Sequence, residues 1–338
     1  MRAVMLNGIR DISVETLPDP VIQLPTDAII RVAAACVCGS DLWDYRGINP
    51  IAGPHQRGHE YVGVVEEVGS AVMTIRPGQF VVGSFVISDG TCSACRMGYP
   101  SSCQHREFVG AAQAELLRIP FADGTLVATG QPVDRTLIPS LLAASDVFGT
   151  GWYAADAANV QRGSTVAVVG DGAVGLLGVL SARTMGAERI IIASRHPARQ
   201  ALAREFGATD VISERGDEAV ARVRDLTDGV GADSVLECVG TNESMIQAMG
   251  SARAGGWVGV VGVPHGVELS GEQLFFNQIH LHGGPAPVRR FLPDLIGRIE
   301  RGEVDPGRVF DLHLPLERAS EGYAAMDHRT AIKAMLWP

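Results

Sequence analysis

The sequence predicts an α/β protein in two parts, a β-rich domain followed by a doubly wound parallel sheet. Three observations carry that prediction. At 338 residues the chain is longer than one hydrophobic core usually serves, so two domains are expected. Up to about residue 145, short β-type runs alternate with Gly/Pro turns. From about 146, strand-like runs alternate with helix-like ones, which implies parallel βαβ units.

In the first part, Ala28-Ile29-Ile30-Arg31-Val32 and Tyr61-Val62-Gly63-Val64-Val65 suit an antiparallel, partly closed sheet. In the second, Ser164 to Val169 reads as a buried strand, Ala173 to Met185 as a helix, and Arg189 to Ala193 as the next strand. Asp233 to Val239 and Trp257 to Val261 supply later strands. Beyond about 284 the chain turns Pro/Arg-rich and ends in the strand-like Ala331 to Leu336. A tail returning to the first domain accounts for a β-type segment after a complete α/β domain.

A formal net charge of −10 disfavours nucleic acid as a partner, since phosphate binding wants a basic surface. Lys333 is the only lysine; arginine carries the remaining positive charge. No run of about 18 apolar residues is free of charge or glycine, so no membrane span is expected, and without a signal-peptide pattern the cytoplasm is. Six cysteines in a reducing compartment do not imply disulfides. Cys36 and Cys238 lie in apolar strand-like runs and read as core residues.

Gly170-Asp171-Gly172-Ala173-Val174-Gly175 stands between a strand and a helix. The first glycine permits the tight turn, the second lets the backbone approach a pyrophosphate, and the third lets helix and strand pack closely. This is a dinucleotide fingerprint in the right context, with a bland βα turn as the alternative. The second strand ends in Ser194-Arg195-His196, without the carboxylate that an NAD ribose usually meets. A guanidinium and a hydroxyl match a 2′-phosphate, so NADP(H) is favoured over NAD(H).

Cys38 follows one apolar strand, and His59-Glu60 opens another. A thiolate, an imidazole and a carboxylate converging from different strands are what a catalytic zinc takes, one position left open. Singly, each residue also has an ordinary packing role. Asp89, Cys92, Cys95 and Cys103 crowd one Gly/Ser/Pro-rich lobe and suit a closed, structural zinc site. A metal-free loop of reduced thiols is the alternative.

These residues resemble the zinc-containing medium-chain dehydrogenase/reductase family, the zinc-dependent alcohol dehydrogenases. Gly58-His59-Glu60, Gly63, Gly69 and Val72 fit that family's zinc signature, and the likeness runs through the whole chain. It implies a GroES-like catalytic domain over 1–146 with a structural-zinc lobe at about 88–105. A Rossmann dinucleotide-binding domain over 147–284 follows, then a return to the catalytic domain over 285–338. It implies that Cys38, His59 and Asp146 ligate catalytic zinc, that Glu60 is an exchangeable ligand, and that Ser40 takes the alcohol proton. Thr150 then matches the nicotinamide contact, and Lys333 a basic residue meeting the pyrophosphate. Two places depart from the family pattern. The lobe begins with Asp89 rather than cysteine, and Trp43 stands where many members end a proton relay in histidine.

The expected activity is hydride exchange between a small alcohol, aldehyde or ketone and the nicotinamide, in a homodimer or homotetramer. A polyol or sugar dehydrogenase is the nearest alternative. Phe85, Trp43, Phe108 and Trp152 fall near segments expected to line the substrate site and favour an apolar alcohol. A cofactor-binding protein without catalysis is the alternative of another class, and the Cys/His/acid set tells against it.

Overall fold

The strand Ala28–Cys36 is buried along nearly its whole length, because seven of its nine side chains are apolar Ala, Ile or Val. That burial makes it the centre of a sheet. In the computed structural model, which describes every residue except Ala52 and Gln131, it pairs antiparallel with Tyr61–Val68, Leu116–Ile119 and Ala334–Trp337. The seven-stranded sheet runs Leu126–Ala128, Phe80–Gly83, Tyr61–Val68, Ala28–Cys36, Ala334–Trp337, Leu312–Pro315, with Leu116–Ile119 off that path. Ile30, Tyr61, Val65, Val81, Leu117, Ile119 and Leu126 form one core against it. Val4, Leu6, Val37, Leu42, Leu316, Tyr323 and Leu336 form another.

Contacts divide the chain into two units, Met1–Gly149 with Pro287–Pro338, and Thr150–Ala286. The last strand lies in the first unit, with Met335 opposite Cys36 and Leu336 opposite Ala35. The Pro/Arg-rich stretch before it holds a helix that composition alone did not suggest, Val288–Glu300, with Pro293 inside. Val288, Phe291, Leu292, Leu295, Ile296 and Ile299 recur at helical spacing and are all buried, and that burial outweighs the hydrogen bond Pro293 removes.

The second unit is the parallel doubly wound sheet that the α/β reading required. Its six strands stand in the order Asp210–Ile212, Arg189–Ala193, Thr165–Val169, Ala232–Glu237, Ala252–Val260, His280–Gly283, every pair parallel. Counted along the chain this is 3-2-1-4-5-6, the Rossmann order. Among the described residues no helix is long and apolar enough to cross a membrane.

The turn after Thr165–Val169 explains its glycines. Gly170 adopts φ +110°, open only to glycine, and leads into the helix Ala173–Thr184. A Cβ on Gly175 would stand 1.9 Å from the Gly170 carbonyl oxygen, whereas one on Gly172 would meet nothing within 4 Å. Gly175→Ala should therefore lower stability, by about 1–3 kcal/mol if the helix must shift. Gly172→Ala should melt like wild type yet bind dinucleotide more weakly, because its Cβ fills the space a pyrophosphate needs. Thermal melts beside dinucleotide titrations separate the two effects; matching behaviour of both variants would refute this division of roles.

Candidate metal centre and dinucleotide site

Strand pairing assembles the first site. Ala35 lies opposite Tyr61, so Cys38, just after the one strand, and His59-Glu60, just before the other, come to the same sheet end. Gly58 makes the approach possible: it holds φ +94°, and a Cβ there would stand 2.4 Å from Gln113 Cγ. Asp146 arrives from the junction between helices Ile138–Ala144 and Val147–Ala157. The ligand atoms of Cys38, His59, Glu60 and Asp146 all lie within 4.8 Å of one another.

Electrostatics within this cluster favours a cation. His59 Nε2 faces Asp146 Oδ2 at 3.3 Å, and His59 Nδ1 faces Asp41 Oδ1 at 3.5 Å. Burial alone would lower the imidazole pKa, but Asp41, Cys38 and Asp146 outweigh it and raise it well above the usual histidine value. Burial would raise Asp41, yet His59, Arg57 and the Cys38 N–H hold it at about 2. Burial pushes Glu60 up, against the pull of Lys333. Glu60 Oε1 accepts from Lys333 Nζ at 2.6 Å, while Oε2 is buried with no hydrogen-bond partner among the described residues. A thiol, an imidazole and two carboxylates, one with an orphaned oxygen, fit a zinc ion. They would hold it through Cys38, His59 and Asp146, with Glu60 beside it.

Ser40 is exposed, and its side chain makes no cap hydrogen bond on the short helix Asp41–Tyr45 that also carries Trp43. Phe85 lies edge-on to His59 with ring centroids 6.2 Å apart and stacks on Phe108 at 6.2 Å.

The second cluster is local. Asp89, Cys92, Cys95 and Cys103 also bring their ligand atoms within 4.8 Å. Cys92 Sγ lies 3.5 Å from Cys95 Sγ and 3.8 Å from Cys103 Sγ. A zinc–sulfur tetrahedron with arms of about 2.3 Å has edges of about 3.8 Å, so the thiols fit it. The amides of Asp89 and His105 each donate to Cys103 Sγ at 3.3 Å. Backbone hydrogen bonds within the lobe lower the Cys92 pKa to about 7, whereas burial raises Cys95 to about 12. Asp89 Oδ1 accepts from the Thr91 and Cys92 amides, and His105 Nδ1 faces Oδ2 at 2.7 Å.

In the second unit, Gly170, Gly172, Ala173, Val174 and Gly175 form the turn and first helical residues at the end of Thr165–Val169. The open helix N-terminus and the space at Gly172 fit a pyrophosphate. Thr150 is buried on the helix Val147–Ala157. Arg195 is exposed, with Nε donating to the Ser213 carbonyl at 2.9 Å, and His196 stands at the N-cap position of the helix Pro197–Phe206 without a side-chain cap hydrogen bond.

Two expectations need correction. Ser194 is buried and donates its hydroxyl to Asp171 Oδ2 at 2.7 Å, so it is not the free partner expected for a 2′-phosphate. Parallel pairing of the two strands sets the fingerprint's own acid beside it, where Arg199 also contacts Asp171 Oδ1 at 3.2 Å. Lys333 does not present its ammonium to a pyrophosphate. It is 1% exposed and committed to Glu60 and the Val37 carbonyl, because a buried carboxylate needs a counter-charge.

Sequence reasoning left four neighbours unassigned: Asp41, Arg57, His105 and Asp171. Asp41 stands three residues after Cys38 and Asp171 inside the fingerprint, so both had a local signal. Cys36 is buried as expected, whereas Cys238, just past a strand end, is only half-buried.

A parallel Rossmann sheet in one unit and a Cys/His/carboxylate cluster in the other define a metal-dependent dehydrogenase class. Comparisons with known proteins make the family specific. Residues 24–129 match the alcohol dehydrogenase GroES-like domain, and residues 173–293 match the zinc-binding dehydrogenase domain. A probable zinc-binding alcohol dehydrogenase of Mycobacterium tuberculosis is 37% identical over 98% of this chain and 86% of its own length. Sorbitol dehydrogenase of Bacillus subtilis is 32% identical over 100% of this chain and 97% of its own. The structure of alcohol dehydrogenase TADH from Thermus sp. ATN1 superposes with a TM-score of 0.93 at 32% identity, covering 100% of this chain and 99% of that one. A zinc-binding dehydrogenase from Sinorhizobium meliloti, bound to NADP, superposes with a TM-score of 0.84 at 28% identity over 100% and 99%. The chain belongs to the zinc-containing medium-chain dehydrogenase/reductase family, the zinc-type alcohol dehydrogenases, and is an oxidoreductase of that family.

The self-contained cysteine lobe yields a prediction. Cys95→Ser should remove about one zinc per chain and lower the melting temperature, while activity per folded molecule changes little, because a closed site has no position for substrate. Metal analysis and melting curves check it; full zinc content with unchanged melting would show that the lobe holds no metal.

Proposed function

We propose that this protein is a zinc-dependent alcohol dehydrogenase that exchanges hydride between a small apolar alcohol, or its aldehyde or ketone, and NADP(H). The observation that carries the reading is the buried cluster of Cys38, His59, Glu60 and Asp146, whose donors need a cation and include an orphaned carboxylate oxygen. In this reading residues 1–146 and 285–338 are catalytic and residues 147–284 bind the cofactor. When bound, zinc supplies Lewis acidity to the substrate oxygen and the nicotinamide supplies a hydride acceptor or donor. Asp41 holds the His59 ring at Nδ1, which leaves Nε2, on the side of Asp146, for the metal. Ser40 takes the hydroxyl proton, and its exposure lets that proton pass to water without a histidine at position 43.

The pair Phe85 and Phe108 supports an apolar alcohol. A polyol substrate is the second reading, supported by the relationship to sorbitol dehydrogenase. Kinetics with benzylic alcohols against sorbitol discriminate: a higher kcat/KM for sorbitol would overturn the apolar assignment. Phe275 and Phe276, 76% and 70% exposed on one short helix, support a homodimer or homotetramer. We place the enzyme in the cytoplasm.

Support for NADP(H) rests mainly on Arg195, which is exposed and, among the described residues, anchored through Nε, leaving its two terminal nitrogens for a phosphate. Charge-assisted hydrogen bonds from them contribute about 1.5–3 kcal/mol each. Arg195→Ala should raise KM for NADPH at least several-fold and leave NADH nearly unchanged. Equal losses with both cofactors, or a wild type that works well only with NADH, would overturn the assignment.

Native enzyme should also carry close to two zincs per chain. A preparation with trace zinc and full activity would remove the catalytic-zinc reading.

A further inference from the structure

We propose that Arg57 is a positioning residue for the metal centre, fixing and neutralising the carboxylate that orients His59. The inference rests on the reading of Cys38, His59 and Asp146 as zinc ligands. Asp41, 3% exposed, divides its two oxygens among four donors. Oδ2 accepts from the Cys38 amide at 2.9 Å and from Gln113 Nε2 at 3.5 Å. Oδ1 is shared: Arg57 Nη2 donates at 3.0 Å, and His59 Nδ1 lies at 3.5 Å. The oxygen that faces the imidazole is therefore placed by a guanidinium.

Arg57 is itself rigidly held. Its backbone is tied on both sides, the amide donating to Val4 O at 3.1 Å and the carbonyl accepting from Gln113 N at 2.9 Å. Its side chain is 10% exposed, and Nη1 donates to Asp44 Oδ2 at 2.6 Å. Nη1 also stands 3.1 Å from His55 Nε2. A planar fork of this kind fixes both the direction and the distance of the carboxylates it joins, which a point charge would not.

Charge accounting gives the reason for a cation here. Cys38 as thiolate and Asp146 together match a divalent ion, and Glu60 is matched by Lys333. That leaves Asp41, among the described residues, as the further buried acid beside His59, and its buried counter-charge is Arg57, which it shares with the more exposed Asp44. With Arg57 in place, a cation offsets the charge of Asp41 at the very oxygen that orients the imidazole. Without it, an uncompensated carboxylate lies against a metal ligand and loses the donor that aims its oxygen.

Groups one layer outside metal ligands typically change metal affinity or activity 10–100-fold when removed. Arg57→Met should therefore lose one of its two zincs to a chelator such as dipicolinate about 10–100 times faster than wild type, with the cysteine-lobe zinc as internal control. The visible absorption of the cobalt-substituted enzyme should change, kcat should fall, and KM for the cofactor should stay. Arg57→Lys, similar in size to methionine but charged, should fall between Arg57→Met and wild type. If Arg57→Met does not fold, Arg57→Gln replaces it with the same expectation. A folded neutral variant with wild-type zinc release and an unchanged cobalt spectrum overturns the proposal, and so does Arg57→Lys releasing zinc as fast as Arg57→Met. If wild type carries only the lobe zinc, the metal-centre reading falls instead, so the two failures are distinguishable.

Discussion

Buried negative charge is the constraint around which the first unit is organised. Glu60 and Asp41 are 0% and 3% exposed, Asp146 is 7% exposed, and the Cys38 thiol lies among them. Taking an unpaired carboxylate out of water costs several kcal/mol even after relaxation, so each acid must have a partner. Lys333 meets Glu60, Arg57 meets Asp41, and the imidazole is pushed strongly toward its charged form by what remains. The return of the C-terminal strand follows from the same need. Pairing Met335 with Cys36 extends the sheet, and it also carries the chain's only lysine to the buried carboxylate of Glu60.

Much of the fold was legible because its signals are local. Strand-to-helix alternation and the glycine turn at Gly170 report on backbone geometry within a few residues, and both lie in the sheet where they were expected. The helix Val288–Glu300 was missed because proline and arginine content masked an apolar repeat that was present in the sequence all along. Site residues behave differently. Cys38, His59 and Glu60 could be picked out by chemistry, but their neighbours could not. Which acid Lys333 faces depends on a pairing across 273 positions of sequence, and no spacing rule spans that distance.

Ser194 shows the limit at its clearest. Its position at the end of the second strand was read correctly, yet the direction of its hydroxyl was not. The first and second strands run parallel and in register, so the turns that follow them are neighbours. An acid inside the first turn thus faces the residue after the second, and Asp171 captures the hydroxyl that a cofactor phosphate was expected to use. The charge at this candidate ribose site is therefore a property of two turns together. Arg195, Arg199 and Asp171 must be weighed as a group.

The two clusters of metal-type residues differ in the same respect. Asp89, Cys92, Cys95 and Cys103 lie within one lobe, and amide donors from residues 89 and 105 reach Cys103 Sγ from inside it. Such a cluster can form as soon as its lobe does, without any contribution from distant strands. Cys38, His59 and Asp146 come from three separate segments, brought together by strand register and a helix junction. A one-residue slip between Ala28–Cys36 and Tyr61–Val68 would send alternate side chains to the opposite face and disperse this cluster. The second cluster therefore requires the complete sheet, and the sheet in turn is completed by the strand after Lys333. Local spacing reveals a cluster confined to one lobe readily, whereas one that exists only in the finished fold must be found through its charges.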